Sequence, residues 1–194
     1  MKLLLTKKGS GAAMGERYPD AYIDYLVEFH ATRDYFECHE ILEEYWKSHP
    51  DDGLGDAWVG LIQLAVGQYH SRRGNISGAR KMFASAERRL TDEHMRRLGL
   101  DAAAMKAIVA EAISALAERS GTSAYRSFDL PIADPELLRM CREASRLRGL
   151  VWGEEPRPEA AVVHRHKLRD RSGVIAARAA AAEAKARARN EGAR

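Results

Sequence analysis

Cysteine is almost missing from this chain: Cys38 and Cys141 are the two among 194 residues. That is too few for a disulfide scaffold or a cysteine-rich zinc module, and each stands alone among apolar residues of helical spacing. Such usage predicts a reducing, cytoplasmic compartment. No apolar run approaches the ~18 residues that a membrane-spanning helix needs. Leu3-Leu4-Leu5 is followed almost at once by Lys7-Lys8, too soon for the core of a secretion signal. No membrane role is therefore expected. The phosphate loop Gly-x-x-x-x-Gly-Lys-Ser/Thr, Gly-x-Gly-x-x-Gly, Gly-x-Ser-x-Gly and paired Cys-x-x-Cys are also missing, which removes nucleotide-driven and serine-hydrolase chemistry from consideration. Strand signals are nearly absent, with Val162-Val163 the one short β-branched run, and there is no internal repeat.

What is present is ample apolar material. Hydrophobic residues make up 45% of the chain, enough for a sizeable core in one domain with an appendage. The formal net charge is +3, unevenly spread. From Arg157 to Arg194 there are ten basic and four acidic residues, so this tail carries +6 and the remainder −3. A basic segment of this kind attracts nucleic acid or an acidic protein through a salt-sensitive Coulomb attraction, although it holds no Trp, Tyr or Phe on which bases would stack. A solvated Ala/Arg-rich helix is the plainer reading of the same segment.

Hydrophobic periodicity divides the chain into helices. After a flexible lead-in over 1–16, Tyr22, Tyr25, Leu26 and Phe29 predict a first helix from Pro19-Asp20 to about His30. Asp34, with Glu37 three residues on, caps a second helix running to about Lys47, which His49-Pro-Asp-Asp-Gly53 breaks. A third, from about Asp56 to Arg72, is apolar nearly all round and belongs in the middle of a bundle. Asn75 caps a fourth, and Gly78 would let helices approach closely. Asp101 starts a fifth with Met105, Val109 and Leu116, and Asp134-Pro-Glu opens a sixth that ends near Arg148-Gly149. The predicted class is all-α: a multihelical bundle with a buried central helix over 17–153, plus a basic C-terminal helical extension over 154–194.

The second helix carries the one dense group of titratable side chains beside large apolar ones. His39 lies at the margin of the stripe formed by Tyr35, Cys38, Ile41, Leu42, Tyr45 and Trp46, and Glu43 lies one turn above it. An imidazole and a carboxylate at i and i+4 can reach one cation, as the ligands of a zinc-protease HExxH helix do; here the pattern is HExxE. One imidazole with carboxylates suits Mn²⁺, Fe²⁺ or Zn²⁺. On the third helix Gln63 and His70 share a face with Val59 and Val66, and buried polar groups need partners. They are expected to look toward His39 and Glu43. A hydrogen-bonded polar contact that fixes helix register explains the same residues without any ligand. Trp46 and Trp58 are expected as core anchors; His30, His49 and His94 stand isolated.

The blocks Tyr35-Phe-Glu-Cys-His39-Glu40-Ile-Leu-Glu43-Glu44-Tyr-Trp46, then Gly60-Leu-Ile-Gln63-Leu-Ala65 through Tyr69-His70, then Gly74-Asn75-Ile-Ser-Gly78-Ala79 resemble domain-of-unknown-function family 309, small bacterial and archaeal proteins. The resemblance covers about residues 20–92. It implies a multihelical bundle with a short buried central helix and the family's frequent label of predicted metal-dependent hydrolase. Its motif positions here are His39, Glu40, Glu43, Trp46, Gln63, His70, Asn75 and Gly78, with Cys38 where the family pattern has Ala. Two functional expectations follow. One is a metal-dependent hydrolase of an unspecified small-molecule substrate, with His39, Glu43 and His70 holding the ion and Glu40 as general base. The other is a non-enzymatic helical module whose residues 157–194 dock on an acidic partner or nucleic acid.

Overall fold

A computed structural model describes residues 17–118 and 125–153 of the chain; the lead-in at 1–16 and the basic extension expected at 154–194 lie outside them. Among the described residues the protein is all-α, with seven helices: α1 Asp20–Val27, α2 Tyr35–Ser48, α3 Gly55–Arg72, α4 Ile76–Arg89, α5 Asp92–Arg97, α6 Ala102–Glu118 and α7 Pro135–Leu147. A π-helical segment, Glu28–Thr32, follows α1 directly. No strand occurs among the described residues; Leu100 and Ile132 form an isolated antiparallel bridge.

The helix starts are set by short polar side chains. Asp34 Oδ1 accepts from the Glu37 amide at 3.1 Å, Asn75 Oδ1 from the Gly78 amide at 3.0 Å, and Asp101 Oδ1 from the Ala104 amide at 2.9 Å. Each satisfies an orphan first-turn N–H, a contribution of about 1 kcal/mol. Asp134 caps α7 in the same way, with Pro135 at the first helical position. Helix α5 was not expected from the sequence. It has six residues, Met95 is its buried side chain, and Thr91 caps it together with His94, so it offers cap chemistry but no apolar stripe.

Helix α3 is the central element. It packs between α2 and α4, while α1 packs on α2 and α7, and α4 on α6. Trp58, Leu61, Leu64 and Ala65 of α3 are fully buried with Tyr22, Tyr25, Leu26, Phe29, Tyr35, Cys38 and Leu42. A fully buried side chain of this size contributes about 1.5–3 kcal/mol. The α3–α4 seam is the tightest: a Cβ on Gly67 would lie 2.4 Å from the Phe83 ring, and one on Gly60 2.7 Å from Leu90. Three ring polar atoms entering this core find partners. The Tyr25 hydroxyl donates to the Leu61 carbonyl and that of Tyr22 to the Leu98 carbonyl, both at 2.9 Å. Trp58 Nε1 donates to Asp52 at 2.6 Å, which fixes the α2–α3 turn. Both cysteines are free and buried.

Candidate functional site

Capped by Asp34, α2 turns Tyr35, Cys38 and Leu42 into the core, leaving His39, Glu40 and Glu43 on its half-buried flank. Their side chains are 29%, 31% and 34% exposed, so water reaches all three. His39 Nδ1 lies 3.2 Å from Glu40 Oε1, and His39 Nε2 lies 3.2 Å from Glu43 Oε2. One ligand atom from each residue falls within 4.8 Å of the other two, the grouping of metal-ligand types found among the described residues. Lys47, one turn further, places Nζ 2.8 Å from Glu43 Oε1.

The ring between two carboxylates has a simple consequence. An imidazole donates at both nitrogens only when it carries two protons. With one proton held on Nδ1 by Glu40, the Nε2 lone pair faces a carboxylate oxygen, and a cation placed between the two removes that repulsion. A carboxylate on the far nitrogen is also what usually orients a metal-bound histidine and fixes its tautomer.

The α3 residues are arranged differently. Phe36 packs against Tyr69 with ring centroids 6.3 Å apart, and Tyr45 against Trp58 at 5.4 Å. This antiparallel register puts His39 level with residues near 65 and Gln63 level with residues near 41, between His39 and Glu43. Gln63 is half-buried, and its Oε1 is buried without a hydrogen-bond partner among the described residues. His70 is level with the start of α2, about 7 Å along the axis from His39 at 1.5 Å per residue. Its Nδ1 lies 3.0 Å from Asn75 Nδ2. The amide nitrogen can only donate, so Nδ1 accepts and the ring proton sits on Nε2. Burial and then the charge of Arg73 lower the His70 pKa, which favours that neutral ring. The structure therefore brings His39, Glu40 and Glu43 together, and holds His70, in the last turn of α3, against Asn75.

The other motif residues serve the fold around the site. Trp46 is half-buried, and a Cβ on Gly55 would lie 3.4 Å from its Nε1. At Gly78 a Cβ would stand 2.6 Å from Asn75 Nδ2, so the space is taken by the helix cap itself rather than by a neighbouring helix. Cys38 is fully buried, and burial pushes its thiol pKa well above the ordinary value, which makes it inert as a nucleophile.

A second polar group has no counterpart in the sequence reading. His30, isolated in sequence, is 3% exposed; its ring stacks on Trp152 at 4.4 Å and its Nδ1 lies 3.4 Å from Asp129. Arg33 is also buried, adopts the left-handed backbone conformation at φ 56°, and pairs through Nη1 with Asp129 at 2.8 Å. Segments distant in sequence build this group, so no spacing announces it.

Comparisons with known proteins agree with the motif blocks. A family model, Domain of unknown function (DUF309), matches residues 22–82, which run from α1 into α4 and include the α2 flank. The chain is 48% identical over 165 residues to the Uncharacterized protein YpuF of Bacillus subtilis (strain 168), an alignment spanning 81% of this chain and 91% of the relative. No solved structure matches the chain.

Proposed function

The chain belongs to the DUF309 family, and from that premise we propose that the α2 flank is a divalent-cation site serving hydrolysis of a small-molecule substrate. The observation that carries this reading is the His39 ring, held 3.2 Å from a carboxylate at each nitrogen. His39 Nε2 and Glu43 would hold Mn²⁺, Fe²⁺ or Zn²⁺. Such an ion supplies a bound water of lowered pKa, hence a nucleophile near neutral pH. Glu40 fixes the ring through Oε1. It is also the general base of this proposal, because Glu43 is already shared between His39 and Lys47. His70 would join as a ligand only by leaving Asn75.

The ladder Lys47–Glu43–His39 favours a second reading, in which these groups only fix the helix surface and the protein is a non-enzymatic module. Elemental analysis of the full chain by plasma mass spectrometry separates the two. The metal reading expects about one equivalent of Mn, Fe or Zn, lost in His39→Ala and Glu43→Gln. In Glu40→Gln the ion is retained with about 10–100-fold lower affinity, the usual effect of removing the group behind a ligating histidine. A metal-free native chain whose thermal midpoint does not rise on adding these ions overturns it.

A further inference from the structure

Arg72, at the end of α3, uses only part of its guanidinium. Nη1 donates to the Arg33 carbonyl at 2.7 Å, and Cζ lies 5.0 Å from the centre of the Tyr35 ring. Nε and Nη2 are both buried and have no hydrogen-bond partner among the described residues. Those two atoms form the side-on edge with which an arginine grips a carboxylate or phosphate in two parallel bonds. Elsewhere in this molecule that edge is used in this way. Arg139 Nε and Nη2 donate to Glu136 at 2.8 and 2.6 Å, and Arg146 Nε and Nη2 to Glu143 at 2.9 and 2.7 Å. Arginine donors that could meet water freely would need no such partner; buried ones do.

Arg33 adds to the same demand. Its side chain is 6% exposed, and its Nε is also buried without a partner among the described residues. Nη1 donates to the Phe29 carbonyl at 3.0 Å and pairs with Asp129. The left-handed conformation of Arg33 is uncommon for a residue with a Cβ and costs about 1–3 kcal/mol where it persists. It turns the Arg33 carbonyl to accept both from Arg72 Nη1 and, at 3.1 Å, from the Tyr35 amide. Asp129 pairs with Arg33, but no carboxylate pairs with Arg72 among the described residues. Tyr35 cannot serve as the counter-ion: burial holds its phenol neutral, and its hydroxyl lies 2.9 Å from that of Tyr125.

We propose that Arg72 and Arg33 form an oxyanion site beside Tyr35, taking the carboxylate or phosphate group of a small ligand on the Nε–Nη2 edge of Arg72. Residues 125–129, which carry no helix, border the site: Tyr125 meets Tyr35, while Phe128 and the half-exposed Asp129 meet Arg33. The site shares no residue with the α2 flank and does not depend on a metal there.

The test is a thermal-midpoint titration of the full chain with inorganic phosphate and, separately, with acetate, ionic strength being matched throughout with sodium chloride. In the native chain the midpoint should rise saturably with at least one of the two anions. A response to phosphate alone identifies a phosphoryl group as the ligand chemistry, and a response to acetate alone a carboxylate. Arg72→Lys keeps the charge but loses the two-pronged edge, and its half-saturating concentration should rise about tenfold or more, as expected for losing one charge-assisted bond. Arg142→Gln, on the exposed face of α7, should respond as the native chain does. If Arg72→Lys does not fold, Arg33→Lys takes its place, since it preserves a cation for Asp129 while removing Nε. No saturable rise with either anion, or equal responses in the native chain and the lysine variant, overturns the proposal.

Discussion

Two polar groups in this bundle are built on opposite plans. His39, Glu40 and Glu43 come from five consecutive positions of one helix and stand about one-third exposed; His39 meets Glu43 through the geometry that any α-helix gives residues at i and i+4, and meets Glu40 as its neighbour in sequence. Arg33, Arg72, His30 and Asp129 come from the π-helical segment and the residue after it, the end of α3 and the stretch before α7, and they meet at the edge of the core, where Asp129 stays half-exposed. The first group is cheap to assemble and lies open to water. The second draws on buried charge, backbone strain and contacts between residues about 40 to 100 positions apart. A polar cluster on one helix can thus be lost with little damage, whereas one spanning several segments is part of the fold.

That contrast can be broken most directly at Arg33. Arg33→Ala removes the donor to the Phe29 and Phe128 carbonyls and the partner of Asp129, so urea unfolding should show a loss of about 2–3 kcal/mol, in the range for orphaning buried groups. A loss below about 0.5 kcal/mol would place Arg33 among ordinary surface arginines.

Acid sharpens the same point. Burial holds the His30 imidazole below its ordinary value of 6.5, against the pull of Asp129, so the native state resists a proton that the unfolded chain accepts. Stability is therefore complete above about pH 7 and falls as pH drops through 6.5 and below. Asp129, held down to about 2 by the bonds from His30 and Arg33, adds a further loss below about pH 4. The urea midpoint should decline from pH 7.5 to 5.5, and His30→Phe should flatten that decline. His70, lowered by burial and Arg73, leaves a residual slope of the same sign. An undiminished slope in His30→Phe would remove His30 from the account.

The smallest effect belongs to the open group. His39→Ala in metal-free protein should alter stability by no more than about 0.5 kcal/mol, as for exposed ion pairs within a helix. Thermal or urea unfolding with chelator present checks this, and a loss above 2 kcal/mol would show that the α2 flank also carries the fold.

The sequence was informative where structure is local. Asp34, Asn75, Asp101 and Asp134 announce helix starts that the structure keeps within a residue, and the apolar circumference of α3 announces its central place. The pairing of His39 with Glu43 follows from spacing alone. What one helix cannot encode is how far its neighbour is displaced along the axis. Gln63 and His70 share a face, yet the register fixed by Phe36 on Tyr69 and Tyr45 on Trp58 leaves Gln63 level with the His39 group and His70 beyond it. Glu28–Thr32 reads as ordinary helix because nothing in Glu-Phe-His-Ala-Thr distinguishes i→i+5 from i→i+4 bonding. His30 looks isolated because Asp129 and Trp152 reach it from about 100 and 120 residues away.

The π-helical segment also determines which kind of change this protein tolerates. Each residue advances a helix by about 100°, and the wider π turn absorbs roughly one residue more than regular winding would. Deleting a single residue between Glu28 and Thr32 would therefore be taken up as the wide turn closes into regular α-helix, with Arg33 left near its place, whereas inserting one more would swing Arg33 about a quarter turn away from Arg72. Chain length at this turn, more than the identity of any side chain in it, is thus what keeps the Arg33 carbonyl against Arg72. An insertion there is the change that would separate a descendant that retains the bundle from one that also retains this contact.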